Sequence, residues 1–123
     1  MRQIVRNRAG DQCEYCQLTQ EQSPLTSLQI EHILPLKHGG KTELDNLALA
    51  CMACNLHKGS DIAGIDPQTN QLTPLFNPRT QNWSEHFVWS GVEIQGLTST
   101  GRTTVTILKM NSEERIRIRL AAR

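Results

Sequence analysis

Cys13 and Cys16, in Asp-Gln-Cys-Glu-Tyr-Cys, and Cys51 and Cys54, in Cys-Met-Ala-Cys, are the only cysteines of the 123-residue chain and form two Cys-x-x-Cys knuckles. Two intervening residues let both sulfurs of a knuckle turn toward one cation. Two knuckles then supply the four thiolates of a closed tetrahedral zinc shell. The spacing therefore predicts a structural Zn2+, a clamp with no open coordination position. A redox pair would call for a thioredoxin-like βαβ context and would not explain two copies. Residues 1–6 carry charge but lead into no apolar stretch, which predicts no export leader, a cytoplasmic location and reduced thiols in place of disulfides.

Between and just beyond the knuckles lie Glu31-His32, Asp45-Asn46, Asn55 and His57. Phosphodiester hydrolysis needs a base to activate water, a cation to balance charge on the phosphate, and a group that holds the base in place. His32 is the expected base, since an unperturbed imidazole titrates near pH 6.5. Glu31 is an oxygen ligand for a hard divalent cation, and Asn55 and His57 can turn an oxygen and a nitrogen toward the same ion. Asn46 can bond a backbone carbonyl or the imidazole and so fix the geometry. Each residue also has a plainer reading: a strand histidine is often a hydrogen-bond partner only, and an Asp-Asn pair often caps a turn.

These residues need a scaffold. Residues 2–9 read as a short helix stopped by Gly10, and 17–26 as a loop. Residues 28–33 alternate apolar and polar as a half-exposed strand does, so Glu31 and His32 face opposite sides unless the strand bends before Pro35. Leu47–Ala50 returns as the second strand, and Met52–Lys58 starts a helix at the second knuckle with Gly59 as its stop. Residues 61–80 read as a linker with turns at Asp66-Pro67 and Asn77-Pro78. Trp83 to Leu97 reads as a hairpin turned near Ser90-Gly91. Residues 103–110 and 112–122 read as helices, the second with Ser112 as N-cap and Glu113 and Glu114 in its first turn. Phe76, Trp83, Phe87, Trp89, Ile94, Val105, Leu108 and Ile116 are the expected core of the second half.

Hydrophobic content is 37% and aromatic content 4%, so the first half has little apolar mass and depends on metal for order. No run is long enough to predict a membrane span. A net charge of +1 argues against an indiscriminate polyanion binder, and local charge must make any nucleic-acid contact. Lys37, Lys41 and Lys58 surround the expected site, while Arg115 and Arg119 fall one helical turn apart and could track a phosphate backbone.

The run from Cys13-Glu-Tyr-Cys16 through Ile30-Glu-His-Ile-Leu-Pro-Leu-Lys-His-Gly-Gly, Asp45-Asn-Leu and Cys51-Met-Ala-Cys-Asn-Leu-His-Lys-Gly59 resembles the HNH endonuclease motif of the two-knuckle zinc type. The resemblance covers residues 9–60. It implies an α+β fold in which a ββα-metal (His-Me finger) module is stapled by the four-cysteine zinc site. It also implies DNA cleavage by a one-metal mechanism with Mg2+, Mn2+ or Ni2+. His32 matches the base, Asn46 the orienting asparagine, and Asn55 the third position, with His57 as the alternative ligand. Glu31 stands where the family often has Asp or His. Residues 61–123 resemble an extension of bacterial, notably cyanobacterial, proteins of that family, expected to form a β-hairpin plus helices that pack on the 1–60 module. DNA is the expected substrate and RNA the alternative. A non-catalytic, zinc-dependent nucleic-acid-binding or protein-interaction module is the rival function.

Overall fold

The computed structural model of the protein describes residues 1–123. Helix α1 (Arg2–Ala9) ends at Gly10, whose φ of 66° supplies the left-handed cap. Its arginines reach across the sheet: Arg8 donates to the carbonyls of Leu44 (2.8 Å) and Leu47 (2.7 Å), and Arg6 to that of Leu28 (3.0 Å). Strand β1 (Gln29–His32) pairs antiparallel with β2 (Leu47–Ala50), Glu31 opposite Ala48 and His32 opposite Leu47. All four β2 residues are buried, so this strand is the floor of the module.

Helix α2 (Met52–Lys58) follows without a loop because Cys51 is its N-cap, with Sγ accepting from the Cys54 amide at 3.4 Å. One sulfur thus starts a helix and faces the metal position. The order strand, strand, helix over a cysteine cluster is a small mixed α/β arrangement, consistent with the zinc-stapled module that the resemblance implies.

The stretch expected to be a linker holds a further hairpin, β3 (Ala63–Ile65) paired with β4 (Leu72–Pro74). The reason is Asp66, fully buried, whose carboxylate accepts from the Gln68 amide (3.0 Å), the Thr69 hydroxyl (3.0 Å) and the Arg102 guanidinium (3.1 and 2.9 Å). Its partner Arg102 lies 36 residues away, beyond the reach of local patterning. Trp83 is not in a strand but in a one-turn helix, α3 (Trp83–His86), which leads directly into β5 (Phe87–Ser90) and its partner β6 (Glu93–Gly96).

Helix α4 (Ser99–Ile107) begins four residues earlier than its apolar pattern suggests, because Thr98 caps it by accepting from Gly101 N at 3.0 Å. Gly101 has to be glycine, since a Cβ there would stand 2.0 Å from the His86 carbonyl oxygen. Helix α5 (Glu113–Ala121) has Ser112 as its cap, as read from the sequence.

Eighteen buried residues form one apolar cluster drawn from both halves, including Val5, Tyr15, Leu28 and Leu49 together with Phe76, Phe87, Ile94 and Leu108. Of the expected core, Trp83 and Val105 pack at its margin, and Ile116 is half-buried. Trp89 is 40% exposed, with its indole N–H donating to Gln17 Oε1 at 3.0 Å. The halves also join through polar contacts: Trp83 Nε1 donates to the Tyr15 carbonyl (2.7 Å), and Arg79 pairs with Glu14.

Candidate metal centre and active site

The four cysteine sulfurs lie within 4.8 Å of one another, all buried, with Cys16 and Cys51 Sγ 3.6 Å apart. A disulfide would bring two sulfurs to about 2.05 Å. Four ligands at about 2.3 Å from one zinc ion stand about 3.8 Å from each other. The cluster therefore fits zinc and is a candidate structural zinc site. Each knuckle is braced by its own backbone, the Cys16 amide donating to Cys13 Sγ (3.5 Å) as the Cys54 amide does to Cys51 Sγ.

Arg115 and Arg119 are turned toward this cluster and not toward solvent, at 1% and 8% exposed. Arg115 Nη1 donates to Cys54 Sγ at 3.0 Å, and Nη2 donates to the carbonyls of Leu108 and Lys109. Arg119 donates to the carbonyls of Val92 (2.9 Å) and Met110 (2.6 Å) and lies over the Trp89 ring, 5.1 Å from its centroid. Expected as DNA contacts, both guanidiniums are instead bonded within the protein in this structure. With Zn2+ bound, four thiolates would leave a formal charge of −2, which the Arg115 guanidinium at Cys54 Sγ would offset.

The proposed base is half-exposed at the end of β1, with Nε2 2.8 Å from Thr42 Oγ1. Asn46 ties down the loop that follows: its Oδ1 accepts from the Leu34 amide (2.8 Å), and its Nδ2 donates to the carbonyls of Leu34 (3.0 Å) and Lys41 (2.8 Å). Gly40 permits this closure, because a Cβ there would lie 1.7 Å from the Leu34 carbonyl oxygen. Asn55 holds Gln29, Nδ2 to Oε1, at 2.6 Å. His32 and Asn55 line one shallow cleft of about 260 Å3, to which Ile30, Glu31, Pro35, Leu36 and Gly59 also contribute. Lys37 and Lys41 are exposed on the loop beside it.

Three residues expected to hold a cation or a phosphate there are engaged otherwise or turned away. Glu31 borders the cleft but is only 5% exposed, and its carboxylate is taken: Tyr15 Oη donates to its Oε1, and Lys58 Nζ stands 3.2 Å from its Oε2. Burial raises the Glu31 pKa, while the Lys58 ammonium and the Tyr15 hydroxyl pull it back down. Lys58 is 2% exposed and donates to the carbonyls of His32 (3.3 Å) and Ile33 (3.0 Å), so it is not a surface contact for phosphate. His57, about 200° around α2 from Asn55, titrates below its usual range because it is partly desolvated and feels Lys109 and Arg115. Glu31 and Asn55 thus both border the cleft, the Glu31 carboxylate already bonded to protein groups, while His57 lies on another face of α2.

Tyr15, Thr42 and Gln29 were not picked out in the sequence. Tyr15 alone left a signal there, since a tyrosine locked between two zinc ligands is bound to be buried and its hydroxyl must then find a partner.

Residues 13–61 match the family model described as HNH endonuclease. The chain is also similar to the Septu protein PtuB of Bacillus thuringiensis, 24% identical over 110 residues, which is 88% of this chain. The match spans 40% of that relative's length. No solved structure matches. No helix is long and apolar enough to cross a membrane. With the cysteine cluster, the strand pair and the helix all falling inside the matched segment, the chain carries an HNH endonuclease domain at residues 13–61.

Proposed function

We propose that the protein is an endonuclease that hydrolyses DNA phosphodiester bonds, with His32 as the general base. The observation that carries this reading is the cleft in which His32 and Asn55 meet, inside a segment that matches a nuclease family. Thr42 faces Nε2. When that hydroxyl accepts from Nε2–H, the ring is held in the tautomer whose Nδ1 lone pair is free. Nδ1 takes a proton from water, the water oxygen attacks phosphorus, and the bond to the leaving sugar oxygen breaks as that oxygen is protonated by solvent. Asn46 keeps the 34–41 loop closed, so the ring and the loop lysines hold one relative position. Lys37 and Lys41 contact flanking phosphates, positioning the strand without reading its sequence.

The test is nicking of supercoiled plasmid with Mg2+, Mn2+ or Ni2+ added in turn. Wild type should nick, and His32→Ala should lose cleavage while keeping its zinc and its fold. A His32→Ala protein that cuts as fast as wild type refutes the assignment. Retention of DNA without cutting under any of the three ions favours a non-catalytic binding module, a reading to which the pairing of the Glu31 carboxylate with Tyr15 and Lys58 gives some weight.

A further inference from the structure

The acid beside the proposed base presents a chemical puzzle. Glu31 and His32 both border the cleft, but their side chains have different partners: His32 Nε2 faces Thr42 Oγ1, and the Glu31 carboxylate is bonded within the fold. The two oxygens of Glu31 are held by Tyr15 Oη and, at 3.2 Å, by Lys58 Nζ. All three Lys58 protons have acceptors: the Glu31 carboxylate, the His32 carbonyl at 3.3 Å and the Ile33 carbonyl at 3.0 Å. Tyr15, Glu31 and Lys58 are 1%, 5% and 2% exposed. A hard cation takes six or more oxygen ligands, several of them water, and this carboxylate is both dry and occupied.

We propose, building on the nuclease reading above, that Glu31 is an anchor and not a cation ligand, and that Lys58 is the positioning residue of the site. The ammonium grips two successive carbonyls where β1 ends, and Glu31 holds the ammonium in place. Together they fix the backbone from which the His32 ring projects. A buried ion pair is a poor way to add stability, since apolar groups of equal volume do as well or better. Three acceptors converging on one ammonium do set a direction, which an apolar contact cannot. Tyr15 lies between the ligands Cys13 and Cys16, so the brace runs unbroken from the zinc knuckle to the base. Loss of zinc would reach His32 through Tyr15 and Glu31, without any contact between the metal and the reacting phosphate.

The experiment is plasmid nicking across a Mn2+ titration with wild type, Glu31→Gln, Lys58→Met and the double variant. Each single variant should cut about tenfold to a hundredfold more slowly at saturating Mn2+, the scale of loss when a reacting group is misplaced by about 1 Å. The half-saturating Mn2+ concentration should stay where it is in wild type. The double variant leaves no lone buried charge, so it should fold even if a single one does not, and should cut no worse than the poorer single variant. A tenfold rise in half-saturating Mn2+ for Glu31→Gln with Lys58→Met unmoved makes Glu31 a ligand and overturns the proposal, as does a double variant that cuts like wild type. Should wild type cut nothing, the nuclease reading fails by itself. The brace is then judged by the His32 ring resonances in NMR: a shift in the double variant sustains it, and unchanged resonances end it.

Discussion

Replacing Arg115 by Met tests whether the C-terminal helix belongs to the metal centre. The guanidinium is 1% exposed, donates to Cys54 Sγ at 3.0 Å and serves the carbonyls of Leu108 and Lys109. Met fills much of the volume and replaces none of the donors, leaving a thiolate and two carbonyls without partners. Breaking a buried charged interaction from one side costs about 3–5 kcal/mol, a large share of the roughly 5–15 kcal/mol that a domain has. With a urea slope of about 2 kcal/mol/M, the unfolding midpoint should fall by about 2 M. Losing a group that supports a metal ligand also weakens metal binding by about 10- to 100-fold. Urea melts followed by tryptophan fluorescence and zinc competition against a chromophoric chelator read the two quantities separately. Arg115→Lys keeps the charge but not the fork, and should fall between wild type and Met. A midpoint displaced by less than about 0.5 M, together with unchanged zinc competition, would show that α5 merely lies beside the cluster.

Zinc removal by a strong chelator should melt the first half of the chain, and circular dichroism should show helix and strand signal returning when Zn2+ is restored, because structural zinc contributes about 10–16 kcal/mol in small modules. Gly40→Ala should destabilise the domain and slow cleavage, since the added carbon meets the Leu34 carbonyl in the loop closed by Asn46; a thermal melt and a nicking assay check both effects. Thr42→Val should lower the maximal cleavage rate without lowering DNA affinity, as single-turnover kinetics would show, because only the imidazole tautomer loses support. The Arg102 guanidinium holds the Asp66 carboxyl well below the usual carboxylate range. Its stabilising effect is present above the unfolded value of about 3.9 and fades as pH falls through the acid range toward the depressed folded value. Asp66→Asn should accordingly flatten the acid limb of a melting-temperature profile between about pH 5 and 2.

What the sequence determined by itself is whatever is written in short spacings. The knuckles announced one four-sulfur cluster because each pair is separated by two residues. Gly10, Gly59 and Ser112 marked helix ends because caps are decided within one turn of the chain. The alternation at 28–33 marked the first strand, which forms over Gln29–His32. Tertiary structure alone decided which groups would answer which. Arg115 meets Cys54 across 61 residues, Arg102 meets Asp66 across 36, and Lys58 meets Ile33 across 25. A charged side chain reads the same in sequence whether it faces solvent or a buried counter-charge. The partner that holds it inside, a cysteine sulfur for Arg115, backbone carbonyls for Arg119 and a buried carboxylate for Lys58, is assembled only after the chain has folded.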